Sequence, residues 1–204
     1  TLLDNDVTDE KTVKKYLKKA ANGVDRLGFI IKDLDLITQF ETGVTTLNVE
    51  QFDIADLIKN IVEMLEIKAK KSGVNLQFNS NQDSPIMVLG DMERLTQVLT
   101  NLVVNSLKYG VENGTTEIEI SELNETKILV RVIDNGKGIA EEDLPRLFER
   151  FYRVEKTRNR NEGGSGLGLA IVKHIIEAHN EKIFVESTPK VGSEFSFTLS
   201  LVKA

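Results

Sequence analysis

Between Thr12 and Phe40, apolar residues recur at alternating spacings of four and three: Val13, Leu17, Ala20, Val24, Leu27, Ile31 and Leu34. That repeat commits the segment to one long helix with a seam along one side. Phe29, Ile30, Leu36 and Ile37 widen the stripe beyond a two-stranded seam, which favours a bundle of several helices. A lone helix leaves such a stripe in water. No second copy of the pattern follows, so homodimerisation through this helix is expected, with packing on its own domain as the alternative. Gly23 and Gly28 interrupt it at about 1 kcal/mol each against alanine, for no reason visible in the sequence.

Past Thr42-Gly43 the pattern becomes mixed helix and strand. Thr45 to Phe52 reads as a strand, and Asp53 as the cap of a helix running to about Lys71 and closed by Ser72-Gly73. Val74 to Phe78 and Ile86 to Leu89 read as strands, and Asp91 opens the next helix. Glu117 to Ile120 and Lys127 to Ile133 are further strands, followed by a short helix near Glu141 to Phe148. A helix from Gly166 to His179, a strand from Ile183 to Glu186 and a last strand complete the series. That strand alternates Phe195, Phe197, Leu199 and Leu201 inward with Ser196, Thr198 and Ser200 outward. The expected fold is α+β: a two-layer α/β sandwich with helices on one face of a mixed sheet, residues 44–204, preceded by a long bundle helix in residues 1–43.

Composition narrows the function. With 204 residues, 40% of them hydrophobic, the chain can bury roughly 70% of its unfolded surface without disulfides, and it has no cysteine. A net charge of -6 argues against nucleic acid as the main partner. No apolar run approaches the ~20 residues that span a bilayer, so direct membrane contact by this chain is not expected.

Three short segments carry chemistry. On the helix after Asp91, residues Arg94, Gln97, Asn101, Asn105 and Lys108 share a face, and Met92, Leu95, Leu99, Leu102 and Val103 point to the core. Asparagine is roughly 0.6 kcal/mol worse than alanine inside a helix, so two of them one turn apart suggest a use for two amide oxygens. A hard cation such as magnesium accepts such oxygens when phosphates supply the remaining ligands. Lys108 adds charge for phosphate and Tyr109 an aromatic face for a base. Asp134 ends an apolar strand, where its carboxylate would need a partner such as the exocyclic amine of adenine; Gly136 and Gly138 would let backbone approach a flat ring. Gly163 to Leu169 opens a helix whose N–H groups suit phosphate, after a basic stretch with Arg150, Arg153, Lys156, Arg158 and Arg160. Taken singly, these segments also read as a solvated helix face, an ordinary Asn-Gly turn and a surface loop. His174 and His179 show no metal-ligand spacing and are expected to be structural or surface residues.

In order along the chain, the segments resemble the motifs of sensor histidine kinases. Asn101 to Tyr109 resembles their N box, Asp134 to Ile139 their G1 box, Leu147 to Arg153 their F box and Gly164 to Leu169 their G2 box. Gly192-Ser193-Glu194-Phe195 resembles the closing motif. Asp25-Arg26-Leu27 and Ile31 to Leu34 resemble the second helix of the dimerisation hairpin.

The resemblance implies the GHKL (Bergerat) fold, ATP and Mg2+ as ligands, and a role for each matching residue. Asn105 would ligate magnesium, with Asn101 supporting metal and phosphates. Lys108 and Arg153 would contact phosphates, and Tyr109 would pack near the adenine whose amine Asp134 reads. Gly136, Gly138 and Ile139 would line the base pocket. Gly164, Ser165, Gly166, Leu167, Gly168 and Leu169 would form the phosphate edge, and Tyr152 would border the nucleotide. Hydrolytic relatives place a glutamate base where this chain has Asn101, and an amide cannot take a proton at neutral pH. The resemblance therefore favours a kinase over a hydrolytic ATPase or a nucleotide-dead dimerisation scaffold. The γ-phosphoryl would pass to a histidine on the first hairpin helix and then to the aspartate of a response-regulator receiver domain. That acceptor histidine is not among these residues, so the chain as given is expected to bind ATP without phosphorylating itself. A cytoplasmic location, as part of a membrane-bound sensor, is also implied.

Overall fold

The computed structural model of the chain describes residues 10–43, 46–79, 84–154 and 165–202. The elements run α1 (Glu10–Glu41), β1 (Glu50–Asp53), α2 (Ile54–Ser72), β2 (Val74–Asn79), β3 (Met87–Gly90), α3 (Met92–Tyr109), β4 (Gly114–Asn124), β5 (Lys127–Asp134), α4 (Gly168–Ala178), β6 (Ile183–Thr188) and β7 (Gly192–Leu201). A single 3₁₀ turn, Leu144–Arg146, lies where a short helix was expected, with Pro145 in its first turn.

Two aspartates set the strand-to-helix junctions. Asp53 sits in extended backbone, and its carboxylate accepts the N–H of Ala55 at 2.9 Å and that of Ile86 at 3.1 Å. One side chain therefore caps α2 and ties it to the approach of β3. Asp91 does the same for α3, accepting from Arg94 N–H and from Asn48 N–H, both at 3.0 Å. At the other end of α2, Gly73 takes the left-handed conformation expected of a helix-ending glycine.

The seven strands form one sheet in the order β1-β3-β7-β5-β4-β2, with β6 paired to the first part of β7. Only β2 and β4 run parallel; the other pairs are antiparallel. Ile118, Val130, Val132, Phe197 and Leu199 from the strands join Leu95, Leu99 and Leu102 of α3 and Ile171 and Ile175 of α4 in one core. Each such buried side chain stabilises the fold by about 1.5–3 kcal/mol. Met92, expected inward, is exposed, because it occupies the first helical position outside the core stripe.

Two further differences from the sequence reading have physical causes. Ser196 and Thr198 face away from Phe197 but are buried rather than solvated. Ser196 stands between Arg131 and Phe184 of the neighbouring strands, and against Thr198 lies the buried carboxylate of Glu181, which accepts hydrogen bonds from Thr198, from Ser200 at 2.6 Å and from Lys127 at 2.5 Å. Burial pushes that carboxyl up, yet these donors hold it below the ordinary glutamate range. The stripe of α1 is covered over its last turns only. Ile37 is fully buried and Leu36 nearly so, and Glu41 pairs with Arg150 and lies 3.7 Å from His174. Leu17, Val24, Leu27 and Ile31 remain 60–67% exposed. Nothing packs near Gly23 or Gly28, and the structure gives no reason for them. Among the described residues, no helix is long and apolar enough to cross a membrane.

His179 is structural, as expected, and its bonds are specific. Its Nε2 accepts the N–H of Asp91 at 2.9 Å while its Nδ1–H donates to the Ile175 carbonyl at 2.7 Å. A neutral ring with the proton on Nδ1 thus joins the end of α4 to the start of α3. We predict that His179→Ala lowers unfolding free energy by about 1–3 kcal/mol in urea titration. An unchanged midpoint would remove this bond from the explanation of how α3 is held.

Candidate functional site

A cavity of about 280 Å³ opens between α3, the turn after β5 and the approach to α4. From α3 come Asn101, Asn105, Lys108 and Tyr109; from the turn Asp134, Gly138 and Ile139. Tyr152 and Arg153 line it from the stretch after the 3₁₀ turn, and Ser165, Gly166, Gly168 and Leu169 from the approach to α4. Thus thirteen of the sixteen residues to which the resemblance assigns a place around the nucleotide line one space. Gly164, Gly163, Lys156, Arg158 and Arg160 lie outside the described residues. Arg94 and Gln97, on the same helix face, do not reach the cavity.

Leu167 and Gly136 do not line it. The Leu167 side chain is fully buried in the core, so only its backbone could serve a phosphate, and its N–H already donates to Ser165 Oγ at 3.2 Å. The protein's own packing already requires the glycines of the turn. A Cβ on Gly136 would press on the Tyr109 carbonyl oxygen at 2.6 Å. Gly138 has φ +65°, and a Cβ there would overlap the Thr188 carbonyl.

The polar groups differ in how far the protein satisfies them. Asn101 uses its amide N–H₂ on the Gly168 carbonyl at 3.5 Å, a marginal contact that leaves its oxygen available. The Asn105 side chain has no hydrogen-bond partner among the described residues, although the residue is half-buried. The Nε–H of Arg153 is buried and also lacks one. A buried donor without an acceptor is destabilising by about 1–3 kcal/mol, so an anion at this end of the cavity would relieve Arg153. Lys108 is exposed, with its ammonium 4.8 Å from the centre of the Tyr109 ring. The Tyr152 hydroxyl donates to Asp143 and its ring lies 4.3 Å under the Arg146 guanidinium, which fixes its orientation at the rim.

Asp134 lines the cavity from the end of β5. Burial pushes its carboxyl above the ordinary aspartate range, while backbone N–H groups of Gly136, at 2.8 Å, and Ser193 pull the other way. The sequence reading missed several lining residues. Ser193 and Phe195 enter from β7 and Val104 from α3, and Asp33 enters from α1 with its carboxyl also raised by burial. Ser193 and Asp33 both stood in quoted motifs, but the motif around Asp33 pointed only to the hairpin helix, and its place in the cavity depends on how α1 packs.

A family profile described as histidine kinase-, DNA gyrase B- and HSP90-like ATPase matches residues 90–203. The chain belongs to this family. It is 34% identical to the sensor histidine kinase WalK of Bacillus subtilis over 188 residues, which cover 91% of this chain and 30% of WalK. Full-length ShkA solved in complex with AMPPNP superposes with a TM-score of 0.81 at 25% identity, covering 100% of this chain and 42% of that one. Histidine kinase ThkA solved in complex with response regulator protein TrrA gives 0.75 at 28% identity, covering 98% and 54%. The chain is an ATP-binding domain of the sensor histidine kinase type, and it spans less than half the length of curated relatives such as WalK.

Proposed function

We propose that this domain serves protein-histidine phosphorylation: it holds Mg-ATP so that the γ-phosphoryl passes to a histidine on a hairpin helix and on to a response-regulator aspartate. The observation that carries the reading is the convergence in one cavity of the Asp134 carboxylate, the Asn101 and Asn105 amides and the unpartnered Arg153 Nε–H. In this reading residues 1–43 supply the second helix of a dimerisation hairpin and residues 44–204 the catalytic domain. The parent protein would be a homodimeric sensor acting on the cytoplasmic side. The neighbour ThkA, solved with a response regulator, supports the choice of partner.

Each role follows from the chemistry of the side chain. Asp134, held as an acceptor by two backbone N–H groups, takes the adenine amine, with Tyr109, Gly138 and Ile139 around the base and Tyr152 at its border. Asn105 offers an amide oxygen to Mg2+, which would lower the charge on the transferring phosphoryl group, and Asn101 supports metal and phosphates. Lys108 and Arg153 balance phosphate charge, and the backbone of Ser165 to Leu169, with Gly164 before it, forms the phosphate edge. Catalysis of this kind is positioning and charge neutralisation. With an amide at Asn101 in place of a carboxylate base, water is not activated and hydrolysis stays slow.

The test is calorimetric titration with a non-hydrolysable ATP analogue. Magnesium should strengthen binding to the wild-type chain, and Asn105→Ala should lose that enhancement at an unchanged melting temperature; intact magnesium dependence in the variant would refute the ligand assignment. Acidification should provide a second check. Asp134 must be ionised to accept the amine and its carboxyl titrates above the ordinary value of about 3.9. Wild-type affinity should therefore fall, relative to Asp134→Asn, at a higher pH than a surface aspartate would give. Parallel pH profiles for the two proteins would contradict the role.

A further inference from the structure

A carboxylate alone does not select adenine. Guanine and hypoxanthine carry an N1–H that a carboxylate accepts as readily as the adenine amine. Discrimination needs a second group near the C6 substituent that accepts and cannot donate. Ser193 lines the nucleotide cavity beside Asp134, but a serine hydroxyl can normally do either.

The bonds of Ser187 remove that freedom. Ser187, on β6, stands directly across from Ser193 and does not itself line the nucleotide cavity. Its Oγ accepts the backbone N–H of Ile139 at 2.8 Å, lies 2.8 Å from the Gly192 carbonyl oxygen and 2.9 Å from Ser193 Oγ. A backbone N–H can only donate and a carbonyl can only accept. The single Ser187 proton must therefore point at Gly192, because two oxygens at 2.8 Å without a proton between them repel. With its proton committed and one lone pair taken by Ile139, Ser187 has one lone pair left, and it must receive the Ser193 proton. Ser193 then presents only lone pairs to the cavity.

We propose that Ser187 is a specificity-positioning residue: by taking the Ser193 proton it makes Ser193 a second obligate acceptor, so that the site favours the 6-amino group of adenine and rejects 6-oxopurine nucleotides. The inference rests on the reading of Asp134 as the adenine acceptor. The same bond to Ile139 holds the turn carrying Gly138 against β6, so Ser187 also fixes the distance between the two acceptors.

Inosine triphosphate is the cleanest probe, since it differs from ATP only at C6 and N1. Affinities of ATP and inosine triphosphate, each with magnesium, are measured by calorimetry on this chain and its variants. In Ser187→Ala the Ser193 hydroxyl is free to donate to the C6 oxygen, and the ATP preference should shrink roughly threefold to tenfold, the worth of one hydrogen bond. Ser187→Thr, which keeps the hydroxyl, should retain the preference. In a Ser193→Ala background, Ser187→Ala should leave the ratio where Ser193→Ala alone puts it. Equal weakening of both nucleotides by Ser187→Ala would reduce the residue to a structural role and overturn the proposal. Should that variant not fold, an unaltered ratio in Ser193→Ala would overturn it instead. A wild-type chain, or one differing only by Asp134→Asn, separates the two levels. No ATP preference in the wild type sinks the Asp134 reading itself, whereas a preference that Asp134→Asn abolishes and Ser187→Ala leaves intact sinks only the present inference.

Discussion

The site depends on two backbones meeting with no side chain between them. The turn after β5 runs against the hairpin joining β6 and β7 so closely that a Cβ on Gly138 would overlap the Thr188 carbonyl, and one on Gly192 the Asp134 carbonyl. Lys190 N–H donates to the Lys137 carbonyl at 2.7 Å across the same gap. This contact turns the Ser193 N–H toward the Asp134 carboxylate and brings Ser187 within reach of Ile139. Without it, a carboxylate at a strand end would have neither its donors nor a fixed distance to the helix that carries Asn101 and Asn105. Burial holds the half-buried carboxyl of Asp134 above the ordinary aspartate range, against the pull of its two backbone donors.

Helix α3 supplies the other half of the cavity, and its position is settled at its first turn. Asp91 caps it, accepts from Asn48 ahead of β1 and donates its own N–H to His179 at the end of α4. Elements far apart in sequence are joined there through one residue. Helix α1 is attached differently, by Leu36, Ile37 and the Glu41–Arg150 pair at its end. Arg150 and His174 both face Glu41, so the helix end meets the segment after the 3₁₀ turn and α4 together. Asp33, about two turns before Glu41, lies in the wall of the cavity, which makes the packing of α1 part of the site's geometry.

Much of this was legible in the sequence because it is local. Periodicity marks each helix and strand, and Asp53, Asp91 and Gly73 mark boundaries by their capping chemistry. The asparagines one turn apart on α3 identified their own face. What the sequence concealed depends on which element covers which. Thr198 and Ser200 alternate with apolar residues as solvated positions would, yet both bond the Glu181 carboxylate. His179 has no motif around it, and its partner Asp91 is 88 residues away. The reason for Gly138 is the Thr188 carbonyl, which no spacing rule relates to it. The stripe of α1 was visible, but not that only its last turns would be buried by its own domain.

The measurement that bears most directly on this explanation is a backbone-amide NMR titration of the chain with a non-hydrolysable ATP analogue and magnesium. Perturbations should concentrate at Asn101, Asn105, Gly136, Gly138 and Ser193, leaving Glu119 and Arg131 on the other face of the sheet unmoved. Saturable shifts at Glu119 and Arg131 with the α3 asparagines silent, or no shifts at all in folded protein, would contradict the assignment of the cavity as the nucleotide site.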